Sequence, residues 1–252
     1  MNKQVKVRES KMKKLIIAAA IMALTAGSAL AQTVVRMGTE GAYPPYNFIN
    51  DKGEVDGFER ALGDELCKRA GLTCTWVTND WDSIIPNLVS GNYDTIMAGM
   101  SITDERKKTI DFTQSYYPPT ASRYLAIKDG VDLKHAVIAA QVNTIQSAYV
   151  AETGATLLEY DTGDETINAV RNGEADAVFA DADFLAPFAE QNDSGLHFVG
   201  DPVPLGDGIG IGLRKTDPEL KGKLNDAISA MKSDGSLNAL LTKWFGDGVQ
   251  TY

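Results

Sequence analysis

Histidine and cysteine are scarce in this chain, with two of each among 252 residues. That scarcity excludes a clustered cysteine–histidine metal centre, and His135 and His197, far apart in sequence, read as surface residues. No G-x-S-x-G elbow, H-E-x-x-H helix or P-loop occurs, so the corresponding hydrolase, metalloprotease and nucleotide chemistries have no footing. Gly208-Ile-Gly-Ile-Gly212 stops short of a dinucleotide fingerprint, because position 213 is Leu and Arg214-Lys215 follow in place of a helix. It reads as a strand. Positive charge is also short, at 24 Lys+Arg against 34 Asp+Glu, which argues against nucleic acid and anionic membranes as partners and slightly favours cationic ligands. Long apolar runs are missing as well. The run Leu15 to Leu24 falls below the roughly 20 residues that a bilayer span needs.

That short run has another reading. Lys11, Lys13 and Lys14 precede it and Ala29-Leu30-Ala31 follows, the layout of a secretory signal with an A-x-A cleavage site, so residues 1–31 are expected to be removed and Gln32 to begin the mature chain. Met12 is an alternative initiator. The remaining 221 residues carry 18 basic and 33 acidic side chains, a net charge of −15. They suffice for one large or two modest domains. In an oxidising compartment Cys67 and Cys74 favour a disulfide between a helix end and the next strand, the alternative being a metal pair that lacks further ligands.

Periodicity gives an alternating pattern. Val34–Gly38 and Thr73–Val77 read as strands. Asn50–Gly53 is a hairpin turn, and Phe58, Leu62, Leu66 and Ala70 mark a helix ended by Gly71. A second helix spans about Asp82 to Ser90, burying Ile84, Ile85, Leu88 and Val89 and stopped by Gly91. Thr95–Ala98 is then a buried strand, Gly99–Ser101 a turn, and a helix opens near Thr103 with Asp104 and Glu105 in its first turn. The unit from Ile85 to Ala98 returns at Ile167 to Ala180 as helix, glycine stop, acidic residue and buried strand. Two α/β lobes are expected, each with a largely parallel sheet and polar groups at the carboxyl ends of its strands, where open sheets bind ligands. The chain enters the second lobe near Ser122-Arg123-Tyr124 and returns through the glycines of 208–212, which permit hinge-like change. Leu220–Lys232 and Leu237–Trp244 are C-terminal helices.

Glu40, Tyr43, Tyr46, Trp81, Arg106 and Asp181 lie at strand ends or loop starts facing the presumed cleft. They match the groups of a zwitterion. Arg106 with the turn amides at Gly99 suits an α-carboxylate, Asp181 an α-ammonium from the opposite lobe, and Glu40 a distal cation on a stem between aromatic faces.

Several stretches carry a family resemblance: Gly38-Thr-Glu-Gly-Ala-Tyr43-Pro-Pro-Tyr46, Gly57-Phe58-Glu, Leu66-Cys67-Lys-Arg, Cys74-Thr-Trp, Ser101-Ile-Thr-Asp-Glu-Arg106, Asp111-Phe112-Thr113 and Gly210-Ile-Gly-Leu-Arg-Lys215. From about Val34 to Phe245 the chain resembles the type II periplasmic solute-binding proteins of amino-acid ABC importers. It is most similar to the lysine/arginine/ornithine- and histidine-binding ones, and also to opine-binding ones. The resemblance implies an α/β type II fold: lobe 1 from 32–121, lobe 2 from 122–209 and a return to lobe 1 over 210–252, joined by a two-strand hinge. It implies that Arg106 and Ser101, helped by Thr144, bind the carboxylate, that Asp181 binds the ammonium, and that Tyr43 and Trp81 flank the side chain. Glu40 stands where binders of basic amino acids carry an acidic residue, and Cys67 and Cys74 match the family disulfide. It further implies a monomer in the periplasm of a Gram-negative bacterium, without cofactor, metal or catalysis, that hands an amino acid to a membrane permease. Glu40 is a methylene longer than the family's usual Asp, while Ala98-Gly99 in place of Ser-Ser and Ile145 in place of Gln give a smaller, less polar site floor that leaves room for a bulkier cationic ligand such as an opine. A dehydratase-like enzyme and a partner of a sensor kinase are the other readings of the same architecture.

Overall fold

The computed structural model describes residues 34–191 and 194–252; the expected signal segment lies outside the described residues. Three β-strands open the first sheet's core: β1 (Val34–Thr39), β5 (Thr73–Thr78) and β6 (Thr95–Ile96). Between them stand a small antiparallel sheet of β2 (Ala42–Tyr43), β3 (Asn47–Ile49) and β4 (Val55–Asp56), helix α1 (Phe58–Arg69), a 3₁₀ turn at Trp81–Ser83 and helix α2 (Ile84–Val89). The short helix α3 (Asp104–Thr109) leads to β7 (Asp111–Tyr117).

The second sheet is built from one continuous segment. It contains β8 (Ala121–Ala126), β9 (Val137–Gln141), α4 (Ile145–Thr153), β10 (Thr156–Tyr160), α5 (Gly163–Arg171), β11 (Ala177–Asp181), α6 (Ala182–Glu190) and β12 (His197–Pro204). The chain then returns as β13 (Ile209–Leu213), α7 (Pro218–Ser233) and α8 (Ser236–Phe245).

Strand order is β5-β1-β6-β13-β7 in the first sheet and β10-β9-β11-β8-β12 in the second. In each, the strands joined by helical crossovers are parallel, while the two nearest the lobe-to-lobe crossings run antiparallel, so both sheets are mixed. The expected parallel arrangement holds for the crossover strands. The remaining pairs are antiparallel because the strand that enters each sheet from the other lobe, β13 or β8, runs against both of its neighbours.

The internal repeat has a physical basis. Asp94 accepts the backbone N–H of Arg36 through Oδ2 at 2.9 Å and donates its own N–H to the Arg36 carbonyl at 2.8 Å. Asp176 does the same with Val137, at 2.9 and 2.8 Å. Each acidic residue thereby locks the start of one strand to the next. Gly91 and Gly173, at φ 81° and 76°, end the preceding helices in the left-handed conformation that glycine adopts freely.

Val89 departs from expectation and is 52% exposed. The helix begins only at Ile84, so Ile84 and Leu88 form its buried stripe and Val89 falls one position beyond it. The glycines of β13 also have a packing role. A Cβ at Gly210 would stand 2.8 Å from Ile102 Cδ1, so that glycine makes room for a neighbouring side chain within a fully buried strand. Gly208, with φ 86°, is the one placed at a crossing. Cys67 and Cys74 form the disulfide, closing the end of α1 onto the start of β5.

Candidate functional site

Glu40, Tyr43, Trp81, Gly99, Ser101, Arg106, Thr144 and Asp181, all named from the sequence, line one pocket together with Ala98, Gln141, Ile145 and Gln146. Its empty volume, which includes space open to solvent, is about 310 Å³. Residues of the first sheet's lobe come from the ends of β1 and β6 and from the loops after β1 and β5. Those of the second come from the ends of β9 and β11 and the start of α4. The pocket thus lies at the carboxyl edges of two sheets, where polar side chains can project without interrupting a ladder.

Arg106 is the third residue of α3. The Thr103 hydroxyl caps that helix by accepting the Arg106 backbone N–H at 3.1 Å. Nη1 donates to the Ser101 carbonyl at 2.8 Å, Nη2 to the Asn143 carbonyl of the other lobe at 3.3 Å, and the guanidinium lies 5.3 Å from the Trp81 ring centroid. Burial draws its pKa down to about 10 against the opposing pull of Asp181. The Gly99 amide, expected as a carboxylate donor, instead donates to Glu59 Oε1 at 2.7 Å, leaving Gly99 as a bare wall of the pocket. Glu59 is fully buried and accepts from Asn47 Nδ2 at 2.7 Å and from the Tyr116 hydroxyl.

Asp181 accepts the Tyr43 hydroxyl at 2.8 Å and Gln146 Nε2 at 3.0 Å. Burial lifts its pKa to about 6, with Tyr43, Arg106 and Gln146 opposing and the neighbouring Asp183 reinforcing the rise. Tyr43 also stacks on Phe184 at 4.2 Å and 8°, so one side chain spans the cleft. Glu40 Oε1 accepts Gln141 Nε2 at 2.6 Å. Its pKa rises to about 7, chiefly through burial, with Glu59, Asp80 and Asp164 adding to the rise. Thr144 accepts the Ser147 N–H as the N-cap of α4 and donates to the Gln141 carbonyl.

Tyr46 does not join the pocket. It is fully buried among Tyr43, Tyr117 and Phe245, with ring centroids at 5.7, 5.3 and 4.9 Å. Gln141 and Gln146 are pocket residues that the sequence reading missed. The available signal was position: Gln141 ends a buried strand and Gln146 opens a helix whose N-cap, Thr144, had been named.

The chemistry of this arrangement is that of a receptor for a dipolar solute: a cationic fork, two carboxylates and aromatic walls. Among the described residues, no group of His, Cys, Asp and Glu is arranged to hold a metal ion, and no helix is long and apolar enough to cross a membrane. Comparisons with known proteins agree with this architecture. Residues 35–247 match the bacterial extracellular solute-binding proteins, family 3. A putative arginine-binding protein of an ABC transporter from Escherichia coli K12 is 33% identical over 246 residues, covering 93% of this chain and 99% of its own. The lysine/arginine/ornithine-binding periplasmic protein of the same organism is 33% identical over 261 residues, covering 94% and 99%. A crystal structure of a periplasmic His/Glu/Gln/Arg/opine family-binding protein from Silicibacter pomeroyi, in complex with lysine, superposes with a TM-score of 0.85 at 69% identity, covering 86% of this chain and all of that one. With matches that run nearly the whole length of both partners, the chain belongs to the bacterial extracellular solute-binding proteins, family 3.

Proposed function

We propose that this protein is an exported receptor that binds a cationic L-amino acid between two lobes and delivers it to an ABC permease in the inner membrane. The observation that carries the reading is the pocket itself, whose lining brings together Arg106, Asp181 and Glu40, one cation and two carboxylates that match the groups of a cationic zwitterion. Arg106 takes the α-carboxylate with Ser101 and Thr144 beside it, Asp181 takes the α-ammonium, Tyr43 and Trp81 enclose the stem, and Glu40 meets the distal charge. The reading draws support from relatives named for arginine or for lysine, arginine and ornithine, and from a neighbour holding lysine.

In this reading residues 1–31 are a cleaved signal, the lobes divide near residues 121 and 209, and the mature protein works as a periplasmic monomer without chemistry of its own. Ligand stabilises the closed form through contacts made from both lobes at once, since only such differential contacts can shift the open–closed balance.

Ligand-stripped protein, titrated by calorimetry and followed by thermal unfolding, tests this. Arginine, lysine or ornithine at about 100 times its Kd adds about 2.7 kcal/mol, a shift of several degrees. Arg106→Ala and Asp181→Ala each weaken binding by about 10- to 100-fold, the worth of a charge-assisted contact. Response to glutamine alone removes the role given to Glu40, and silence across all amino acids removes the receptor.

A further inference from the structure

Gln141 is 7% exposed at the end of β9, and its carboxamide nitrogen has both hydrogens engaged. One goes to Glu40 Oε1 at 2.6 Å, across the cleft, and the other to the Asp161 carbonyl at 3.0 Å, within its own lobe. Asp161 immediately precedes Thr162, which caps α5 through a reciprocal pair with Glu165, so the amide is held by a rigid turn. A carboxamide with both N–H groups fixed has its oxygen fixed too. Among the described residues, neither Gln141 Oε1 nor Glu40 Oε2 has a hydrogen-bond partner, yet both residues line the pocket.

The consequence concerns the shape of a ligand's distal group. Glu40 already accepts one bond from Gln141 on Oε1, which leaves its Oε2 and the Gln141 carboxamide oxygen as two unengaged acceptors, one from each lobe, for a planar two-pronged donor. A compact ammonium needs only a point of negative charge, whereas a guanidinium presents parallel N–H groups that call for two acceptors. We infer that Gln141 is a specificity-determining residue: from the second lobe it fixes Glu40 and supplies the second acceptor, so that the distal end of the pocket prefers a guanidinium to an ammonium. This rests on the assignment of Glu40 to the ligand's distal charge. It also gives a signature that a purely structural glutamine lacks. Glu40 is faced by Glu59 and Asp80 of its own lobe and by Asp164 of the other, all of which favour its protonated form, while the bond from Gln141 favours the ionised one. Loss of Gln141 therefore moves the pH at which Glu40 ionises upward.

The test is calorimetric titration of mature wild-type protein, Gln141→Leu, Gln141→Asn and Glu40→Gln with arginine, lysine and glutamine from pH 5 to 8. Gln141→Leu is expected to weaken arginine by about tenfold or more and lysine by less than about threefold, with the midpoint of the arginine affinity–pH curve moved up. Gln141→Asn, too short to reach Glu40, gives the same change of selectivity and covers the case in which the leucine variant fails to fold. Equal losses for arginine and lysine with an unmoved midpoint overturn the inference and leave Gln141 as a strut for the Asp161 turn. If Glu40→Gln leaves arginine and lysine affinities unchanged, the assignment of Glu40 itself fails. If it lowers both while the Gln141 variants keep the wild-type arginine-to-lysine ratio, only the inference fails.

Discussion

Two pocket carboxyl groups hold their protons unusually long, Glu40 to about 7 and Asp181 to about 6, chiefly because burial strips water from their charged forms. The unfolded chain releases those protons at ordinary carboxylate pH. Between that range and pH 7 the folded, ligand-free protein therefore binds more protons than the unfolded one. Its stability from these groups is fully present at the acidic end and is lost as pH rises through 6 to 7. A cationic ligand reverses the trend, because it rewards ionisation of both groups. Arginine affinity rises over the same window, and binding at pH 6 releases protons, measurable by calorimetry in buffers of different ionisation enthalpy. Proton uptake on binding would sink this account. The residues that share the pocket were legible in sequence where a charge or aromatic stood at a strand end, as with Glu40, Trp81 and Asp181. Gln141 was not, because its meaning depends on a partner 101 positions away, and neither was the turning of the Gly99 amide onto Glu59, itself hidden in a helix that reads as ordinary.

At the scale of elements, the crossings between lobes are tightly specified. Gly208 has φ 86°, and a Cβ there would lie 2.6 Å from the carbonyl oxygen of Tyr117, an atom of the other crossing strand that cannot swing aside. Its own carbonyl accepts the Ile102 N–H at 2.8 Å. Gly208→Ala combines a disfavoured backbone conformation with a backbone clash and is expected to cost about 1–3 kcal/mol in denaturant unfolding; a wild-type midpoint would contradict the geometry. Helix α1 and strands β1 and β11 were readable from the apolar residues each buries, and β5 was read as a strand although none of its residues is fully buried. The direction of the antiparallel strands beside them was not readable, since it is set by where the chain re-enters a sheet and leaves no mark on side-chain alternation. The two-residue strands β2 and β4 are too short for any period to register.

The whole molecule keeps its fastening and its binding edge apart. The Cys67–Cys74 disulfide ties the C-terminal end of α1 to the amino end of β5, whereas the pocket sits at the carboxyl edges of the sheets. A Cys67→Ser/Cys74→Ser variant is expected to lose about 2–3 kcal/mol of stability. Its ligand affinity, measured by calorimetry well below the melting temperature, stays within about twofold, as for sites without shared partners. A large loss of affinity in a folded variant would show that the disulfide shapes the site.

Strand β13 lies between β6 and β7 in the first sheet although it follows them by almost a hundred residues and an entire second sheet. This order imposes a timetable on a chain that appears amino end first. When residue 204 has emerged, every strand of the second sheet is present, while β6 and β7 still lack the neighbour that joins them and expose unpaired backbone edges. The half made first is therefore the half finished last. For a polypeptide exported by way of a cleaved signal, as proposed here, the late arrival of one central strand leaves the leading lobe unfinished until nearly all of the chain has been made.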